Sequence, residues 1–357
     1  MGAVSRKIKE RQGRMAGHDL PFHGARREGD DGTRQLAALP VMRSLLSPEA
    51  VAMDIAPAYG LSPTGCVLQR SFTNDVYVVK TSAGLYVAKV YGPGWRTAAD
   101  IAYEVDFLNH LTANGVAVTT AVPRRDGQPV HSLPLPEGVR YCVLFTYAPG
   151  DAPAEPFTAA LYHLFGRAAG ALHQAADRFV SRHPRFRLDL AYLIDRPLAA
   201  IRPYLVHRPD DWAYLMRLAE RVRARIGELA ARGLDWGPCH GDLTLDCFRL
   251  TGQGQLTFYD FDSGGPGWRA LEFQGMYAYA PHPHWEAFHA GYAEIRPLDA
   301  VDLAAIPWFV PAYAIWDMGW AASTWARWSG RWRVDDAYWS EKRRWLSQWE
   351  AERLGPG

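Results

Sequence analysis

One short segment in the second half of the chain limits what it can fold into more than any other feature. It begins with the polar turn Cys239-His240-Gly241-Asp242 and continues to the apolar run Phe258-Tyr259, which ends at Asp260. Phosphoryl-transfer sites use one aspartate to accept the proton of a hydroxyl group and a second to hold Mg²⁺. The segment therefore predicts such a site, with Asp242 as the catalytic base and Asp260 as the Mg²⁺ ligand.

The part of the chain before residue 148 has the pattern of an antiparallel sheet with one long inserted helix. Runs rich in β-branched and aromatic residues occur at 66–68, 76–79, 85–91 and 141–145. Two further strands are predicted on either side of 124–127. Apolar residues recur at three- and four-residue steps from Ile101 to Leu111, which predicts the helix. A second helix is predicted to begin at Ser47, as N-cap, with Pro48 in the first turn.

The part after residue 148 has the pattern of a helical domain. An apolar stripe with Arg and Glu on the opposite face predicts one long helix there: Leu215, Leu218, Val222, Ile226 and Leu229. We therefore expect an α+β chain with an N-lobe at 37–147 and a larger helical C-lobe at 148–357. Residues 1–36 are rich in Arg, Gly and Asp without a periodic apolar pattern, so we interpret them as a disordered tail.

The composition excludes several classes of function. The chain has 39 basic and 38 acidic side chains, so no overall field would attract nucleic acid or an anionic membrane. Its four cysteines lack the C-x-x-C spacing of a zinc site. No apolar run approaches membrane-spanning length, and the first residues lack the apolar stretch of a signal peptide. We therefore expect a cytoplasmic protein with no nucleic acid and no membrane as partner.

The order of these motifs resembles that of the aminoglycoside phosphotransferase and choline kinase-like superfamily, whose members have a two-lobed, protein-kinase-like fold. Val87-Ala88-Lys89 is similar to the family's strand lysine, and the turn at 239–242 to its catalytic loop. The stretch 265–272 is similar to the family's segment after the metal-binding strand. Within the superfamily, the chain most resembles bacterial phosphotransferases of unassigned substrate.

The resemblance implies a binding site for ATP and Mg²⁺ between the lobes. Lys89 would contact the α- and β-phosphates, with Glu104 holding its ammonium group in place. The turn that contains Asn74 would cover the nucleotide, although it has no glycine. Adenine would bond to the backbone between Phe145 and Tyr147.

The resemblance also assigns structural roles near the catalytic loop. His240 would brace the loop by hydrogen bonds rather than take part in catalysis. Glu272 occupies the position of a buried aspartate that supports the loop in relatives, and it is longer by one methylene. Thr244 occupies a position that is usually histidine in relatives. Cys247 replaces the usual metal-binding asparagine, and a thiol suits Mg²⁺ poorly. Either Asp246 takes over that ligand position after a small backbone shift, or Asp260 and water carry a single metal ion.

The acceptor is left open by the sequence. We expect a hydroxyl group of a small molecule or of a peptide Ser or Thr, with a partner enzyme if the chain serves a biosynthetic pathway. The C-terminal helices are rich in tryptophan, which core packing explains better than an aromatic wall for a cationic or peptidic acceptor. A nucleotide-binding pseudokinase that serves as a scaffold or regulatory subunit is the alternative, and a non-phosphoryl transferase is a third interpretation.

Overall fold

The computed structural model describes residues 39–328 and 330–355. The predicted tail at 1–36 lies outside the described residues. Residues 42–357 form one compact unit, so the two predicted lobes belong to a single body. The lobe boundary predicted at 147/148 remains an expectation.

The N-terminal part is a five-stranded antiparallel sheet with the order β1-β2-β3-β5-β4. Its strands are β1 (Pro63–Ser71), β2 (Asp75–Thr81), β3 (Gly84–Val90), β4 (Val130–Leu135) and β5 (Gly138–Thr146). On β3, Lys89 pairs with Val76 of β2 and Val143 of β5. The lysine therefore lies on a central strand, which fixes its backbone on both sides.

Only one of the two strands predicted around 124–127 is formed. The strand β4 follows this turn, whereas the residues before it make isolated bridges at Val118 and Ala121. The prediction of a strand before 124–127 is therefore wrong. Val118 pairs with Phe258, which lies outside the sheet and two residues before Asp260. The residues before 124–127 therefore connect the sheet to the C-terminal part instead of extending the sheet.

Two helices accompany the sheet, and both begin at capping residues. Helix α1 (Pro48–Tyr59) has Ser47 as N-cap, which confirms the predicted start. Helix α2 (Ala98–Ala113) begins with a capping box between Thr97 and Asp100. The buried residues of α1 pack on the sheet, whereas those of α2 join the larger core of the C-terminal part. Helix α2 thus carries Glu104 to the join between the two parts.

The C-terminal part is mainly helical. Its helices are α3 (Ala159–Ala176), α4 (Arg196–Ile201), α5 (Pro209–Ala231), α6 (Gln274–Tyr279), α7 (His282–Ala293), α8 (Ala300–Trp320), α9 (Ala326–Trp328) and α10 (Asp336–Trp349). Helix α5 contains the predicted apolar stripe, and its members are buried. In the part of the chain that the structure describes, no helix is long and apolar enough to cross a membrane.

Two short antiparallel ladders lie between the helices and hold the loop 240–247, which contains Asp242. One pairs β6 (Trp236–Cys239) with β9 (Gly265–Trp268), and the other pairs β7 (Phe248–Leu250) with β8 (Leu256–Phe258). The loop 240–247 leaves the first ladder and enters the second, so both of its ends are fixed. The sequence pattern after residue 148 did not predict these ladders, because each strand has only three or four residues.

Candidate active site

Close packing fixes the backbone of the turn at 240–242. Gly241 has φ of 84°, a conformation that side chains with a Cβ rarely adopt. A Cβ at this position would lie 2.1 Å from the carbonyl oxygen of Ser263. The turn can therefore approach the strand end at 260–264 only because residue 241 is glycine, and Asp242 follows directly.

Glu272 stabilises the same turn through hydrogen bonds. Its two carboxylate oxygens accept hydrogen bonds from the backbone N–H groups of His240 (2.9 Å) and Gly241 (2.6 Å). It lies in a short helical turn (Arg269–Phe273) and is 4% exposed. Burial raises the pKa of Glu272, but the hydrogen bond from His173, together with the backbone N–H of His240, holds it below its ordinary value, so the acid is ionised. The extra methylene relative to aspartate is therefore accommodated, and the carboxylate reaches both amides.

A histidine that sequence reasoning missed completes this support. His173 on α3 has its Nε2 2.7 Å from Glu272 and its Nδ1 2.9 Å from the Tyr292 hydroxyl. Burial lowers the pKa of His173, so the ring is neutral, Nε2 donates to the carboxylate, and Tyr292 donates to Nδ1. His173 lies on a buried helix face between apolar residues, a pattern that by itself indicates only an ordinary core position.

The side chain of His240 also supports the loop. Its Nε2 lies 3.0 Å from the carbonyl oxygen of Tyr259, and its Nδ1 accepts from the backbone N–H of Asp242 at 3.3 Å. Burial lowers its pKa, so the ring is neutral and can both donate and accept. The histidine thus links the residue before Asp260 to Asp242.

Lys89 is surrounded by three carboxylates. Its ammonium nitrogen lies 2.7 Å from Asp260, 3.5 Å from Asp262 and 3.6 Å from Glu104. Burial lowers the pKa of the lysine, but these three negative charges outweigh it and raise the pKa above its ordinary value. Lys89 is therefore charged, and its shortest contact is with Asp260 rather than with Glu104, the partner expected from the resemblance.

Asp262 is a buried anchor and not an exposed turn residue. Its carboxylate accepts from Asn74 Nδ2 (2.6 Å) and Trp95 Nε1 (2.9 Å), and its carbonyl oxygen accepts from Arg96 and Arg185. Burial opposes ionisation, but Lys89 and Arg96 hold the pKa of Asp262 below its ordinary value. The sequence alone leaves open whether Asp262 supports the site or is an exposed turn residue, because these partners lie far from it in the chain.

The turn at 72–74 is hydrogen-bonded to Asp262. The side chain of Asn74 donates to Asp262 and accepts from the N–H of Gly92 at 3.2 Å. Both ends of its amide thus make hydrogen bonds within the protein, and the expected contact of this turn with the nucleotide stays a prediction. A Cβ at Gly92 would lie 2.2 Å from the carbonyl oxygen of Thr73, which shows how closely the turn packs.

Asp260 combines an unusual backbone conformation with an accessible carboxylate. Its φ of 70° is the only positive φ of a non-glycine residue in the described residues, and such a conformation costs about 1–3 kcal/mol. Its carboxylate, about one-third exposed, contacts Lys89 and also Arg70 at 3.3 Å. Mg²⁺ binds through one or two carboxylates together with phosphates and water, and Asp260 fits that requirement.

Asp242 lies in the same electrostatic environment. Burial, followed by the charges of Asp260 and Asp262, raises its pKa to about 7. Burial is the largest cause of this shift, and the two aspartates add to it through their charge. Asp242 therefore lies within electrostatic range of Asp260, and the two-acid interpretation stays a prediction.

Cys247 and Asp246 differ in their relation to this region. The thiol of Cys247 is buried and donates to the carbonyl oxygen of Thr244 at 2.9 Å, and burial raises its pKa well above the ordinary value. It is a neutral thiol and a poor ligand for Mg²⁺. The side chain of Asp246 is exposed. The described residues contain no cluster of three or more His, Cys, Asp or Glu able to hold a metal ion.

The predicted adenine segment lies at the end of β5. Phe145 is buried and pairs with Val87, while Tyr147 is half-buried just beyond the strand. The N–H of Thr146 donates to the carbonyl oxygen of Thr120 at 2.9 Å. Thr146 is thus already bonded and Phe145 lies opposite Val87 in the β3–β5 ladder, so Tyr147, just beyond the strand, is the expected adenine partner with the fewest competing sheet contacts.

Comparison with known proteins agrees with the fold and the motif order. Residues 64–299 match a family described as the phosphotransferase enzyme family. An uncharacterized protein of Deinococcus radiodurans is 41% identical over 79% of this chain and 84% of its own length.

Two solved structures have the same fold. The microcompartment-associated aminopropanol kinase is 24% identical with a TM-score of 0.67, covering 84% of this chain and 98% of its own. An amicoumacin kinase in complex with AMP-PNP, Ca²⁺ and Ami is 20% identical with a TM-score of 0.70, covering 85% of this chain and 94% of its own. The two-lobed, kinase-like α+β fold is thus confirmed, and the chain belongs to the phosphotransferase enzyme family.

Proposed function

We propose that the protein is an ATP- and Mg²⁺-dependent kinase that transfers the γ-phosphoryl group to a hydroxyl group of a small molecule. The observation that carries this proposal is the cluster of Lys89 with Asp260, Asp262 and Glu104 beside Asp242. It combines a buried cation for phosphate, an accessible oxygen ligand for a divalent metal and a carboxylate of raised pKa. The kinases among the similar structures act on small molecules, which favours such an acceptor over a peptide.

Each residue has a defined task in this proposal. Asp242 orients the acceptor hydroxyl and accepts its proton while the oxygen bonds to the γ-phosphorus and the bond to the departing ADP oxygen breaks. Lys89 neutralises phosphate charge, and Glu104 limits its motion. Asp260 would hold the metal, which supplies further neutralisation of the phosphates when bound. Because Lys89 bonds to Asp260 in the free protein, we expect nucleotide and metal binding to separate this pair.

The binding of nucleotide provides the direct test. We expect ATP with Mg²⁺ to raise the melting temperature of the protein and ATP without metal to raise it less, because Asp260 repels the phosphates unless a cation lies between them. Lys89→Met should remove the stabilisation. Lys80→Met, which changes an exposed lysine on the same sheet, serves as the control. Equal stabilisation by ATP with and without Mg²⁺ would contradict the kinase proposal.

A pseudokinase is the second candidate, and Cys247 is the observation that favours it. The thiol fills the position of a metal-binding amide in relatives, and its proton is engaged with Thr244. The protein would then bind ATP and act as a scaffold or regulatory subunit of a partner enzyme. The pseudokinase candidate does not explain why the chain has the complete set of Lys89, Glu104, Asp242 and Asp260. A scaffold does not need these four residues at one site.

Restoring an amide at residue 247 tests whether Cys247 weakens the binding of metal. The carbonyl oxygen of Cys247 accepts from the N–H of Tyr259 at 2.8 Å, so the backbone at residue 247 lies next to the residue before Asp260. We expect Cys247→Asn to lower the Mg²⁺ concentration for half-maximal stabilisation with ATP by about tenfold, through an added oxygen ligand. Cys66→Asn, on β1, is the control. An unchanged Mg²⁺ requirement would mean that Asp246 or water already fills that coordination position.

A further inference from the structure

Asp260 has a cation at each of its two carboxylate oxygens. Nζ of Lys89 lies 2.7 Å from Oδ1, and Nη2 of Arg70 lies 3.3 Å from Oδ2. The side chain of Lys89 is 6% exposed, whereas that of Arg70 is 61% exposed. The lysine therefore reaches the carboxylate from the interior of the protein, and the arginine reaches it from the solvent. Phosphate binding explains the lysine but leaves the exposed arginine without a function.

The pairing of three strands places Arg70 and Lys89 on the same face of the sheet. Arg70 of β1 lies opposite Val76 of β2, and Val76 lies opposite Lys89 of β3. Residues directly opposite each other on antiparallel strands share one face. Neighbouring strands are about 4.7–4.9 Å apart, so the backbones of Arg70 and Lys89 are separated by about 10 Å. Both side chains cross part of this distance to meet at Asp260.

A β-bulge in β1 gives Arg70 this orientation. Leu68 pairs with Tyr77 and Arg70 pairs with Val76, so Gln69 is an extra residue on β1. Without the bulge, residue 69 would lie opposite Val76, and residue 70 would point to the other face because side chains alternate along a strand. Bulges occur often beside active sites, where they change the direction of a side chain. Regular pairing is thus interrupted just where a guanidinium group is directed to Asp260.

The backbone beside Arg70 is held firmly, although its side chain is accessible. Ser71 pairs with Asp75 in the β1–β2 ladder, and its hydroxyl group donates to the Asp75 carboxylate at 2.6 Å. Nη2 of Arg140 donates to the same carboxylate at 2.7 Å. The strand is therefore anchored one residue after Arg70, and a change of rotamer is sufficient for the guanidinium group to leave Asp260.

The contact between Arg70 and Asp260 is poorly explained as a support of the fold. Among the described residues, Asp260 is the only hydrogen-bond or ion-pair partner of the Arg70 side chain. Exposed ion pairs contribute little to folding stability. A long cationic side chain with one weak internal partner can exchange that partner for a bound anion at small cost.

Binding of nucleotide with metal would supply such an anion. A divalent cation at Asp260 repels both Arg70 and Lys89, and the phosphates offer new acceptors to both. The planar guanidinium fork matches the oxygens of a phosphate group. Because Lys89 is expected to contact the α- and β-phosphates, the cation on the solvent side is left for the terminal phosphate. Arg70 also directly precedes the turn that is expected to cover the nucleotide.

We propose that Arg70 is a phosphate-binding residue, which contacts Asp260 in the free protein and the γ-phosphate of ATP when metal is bound. There its charge would stabilise the negative charge on the transferred group. This inference rests on the proposed kinase function and adds a residue to its phosphate site.

Isothermal titration of the full chain with AMP-PNP and with ADP, each with Mg²⁺, tests the contact with the terminal phosphate. Arg70→Gln should weaken binding of AMP-PNP about tenfold, as expected for the loss of a charge-assisted hydrogen bond, and should leave binding of ADP nearly unchanged. Arg70→Lys keeps the charge without the fork and should give an intermediate loss. Unchanged binding of AMP-PNP, or equal weakening of both nucleotides, would overturn the inference.

Arg125→Gln is the matched control for these titrations. It makes the same change at an exposed arginine in the turn before β4, which is the edge strand at the opposite side of the sheet from β1. Its affinities for AMP-PNP and ADP should equal those of the wild type. A loss of AMP-PNP affinity as large as that of Arg70→Gln would show that net charge alone is responsible and would contradict the assignment.

Binding of Mn²⁺ without nucleotide gives a second readout that a structural role would not produce. Arg70→Gln should bind Mn²⁺ severalfold more tightly than the wild type, because the change frees one oxygen of Asp260 and removes a like charge from the metal site. Electron paramagnetic resonance of the free ion measures this affinity. Tighter binding of Mn²⁺ together with weaker binding of AMP-PNP is the expected signature. Weaker binding of both would indicate that Arg70 only supports the site and would overturn the inference.

The same titrations separate failure of this inference from failure of the proposed function. If the wild type binds AMP-PNP with Mg²⁺ and Arg70→Gln binds it equally well, the nucleotide site stands and only the role of Arg70 is rejected. If the wild type binds neither AMP-PNP nor ADP, the kinase proposal fails, and the role of Arg70 fails with it.

Discussion

Replacing Asp242 by asparagine should lower the rate of phosphoryl transfer by about 10²–10⁴-fold, the usual contribution of a positioned general base. The amide keeps the size of the side chain but cannot accept the hydroxyl proton. Binding of ATP with Mg²⁺ should persist, because Lys89 and Asp260 are unchanged. Initial rates of ADP release and a nucleotide titration of the same variant measure the two effects separately.

The same variant has a second expected signature in the metal-free protein. The carboxyl pKa is raised to about 7 in the folded state, so the folded protein holds this proton more tightly than the unfolded chain. The wild-type protein should therefore lose stability as pH rises from about 4 to 7, and Asp242→Asn should lose less over that window. Urea unfolding at several pH values measures the difference. A loss of activity without this change in pH dependence would mean that Asp242 is not in the environment described here.

Replacing Glu272 by alanine should lower the free energy of unfolding by about 3–5 kcal/mol. The change leaves the N–H groups of His240 and Gly241 and Nε2 of His173 without their acceptor in a site that excludes water. Urea unfolding measures the loss. Because the turn would also lose its support, we expect the rate of phosphoryl transfer to fall even at temperatures where the variant is fully folded.

Two further variants keep this prediction testable. Glu272→Gln retains the size of the side chain and one acceptor oxygen, so its loss of stability should lie between those of wild type and Glu272→Ala. Glu286→Ala removes a well-exposed carboxylate on α7 and should change stability by less than about 0.5 kcal/mol. If Glu272→Ala were as stable as Glu286→Ala, the bonds from the carboxylate to the loop would not support the fold.

Local sequence signals were sufficient for much of the fold. Ser47 with Pro48 marks a helix start because the capping bond forms within one turn of chain. The strand that carries Lys89 follows from its β-branched and aromatic neighbours, and the apolar spacing at 215–229 follows from helix periodicity. The extra strand predicted near 124 was wrong because a short β-rich run does not reveal whether a partner strand lies beside it.

The candidate site, like the fold, could be predicted from the sequence only in part. The identities of Asp242, Asp260 and Lys89, and of Glu104, His240 and Glu272 beside them, were visible in the sequence as motifs, whereas the more distant contacts were not. Glu272 reaches His173 across 99 residues, and Asn74 reaches Asp262 across 188. Neither His173 nor Asn74 has a local pattern that distinguishes this role from an ordinary core or turn position.

By itself, the sequence determined which groups are present for phosphoryl transfer, because residue type and short-range spacing set their chemistry. Only the tertiary structure decided that Lys89 bonds to Asp260 more closely than to Glu104, that Cys247 is a buried neutral thiol, and that His173 donates to Glu272. These features depend on distance, burial and the sum of neighbouring charges, and packing sets all three between residues far apart in the chain.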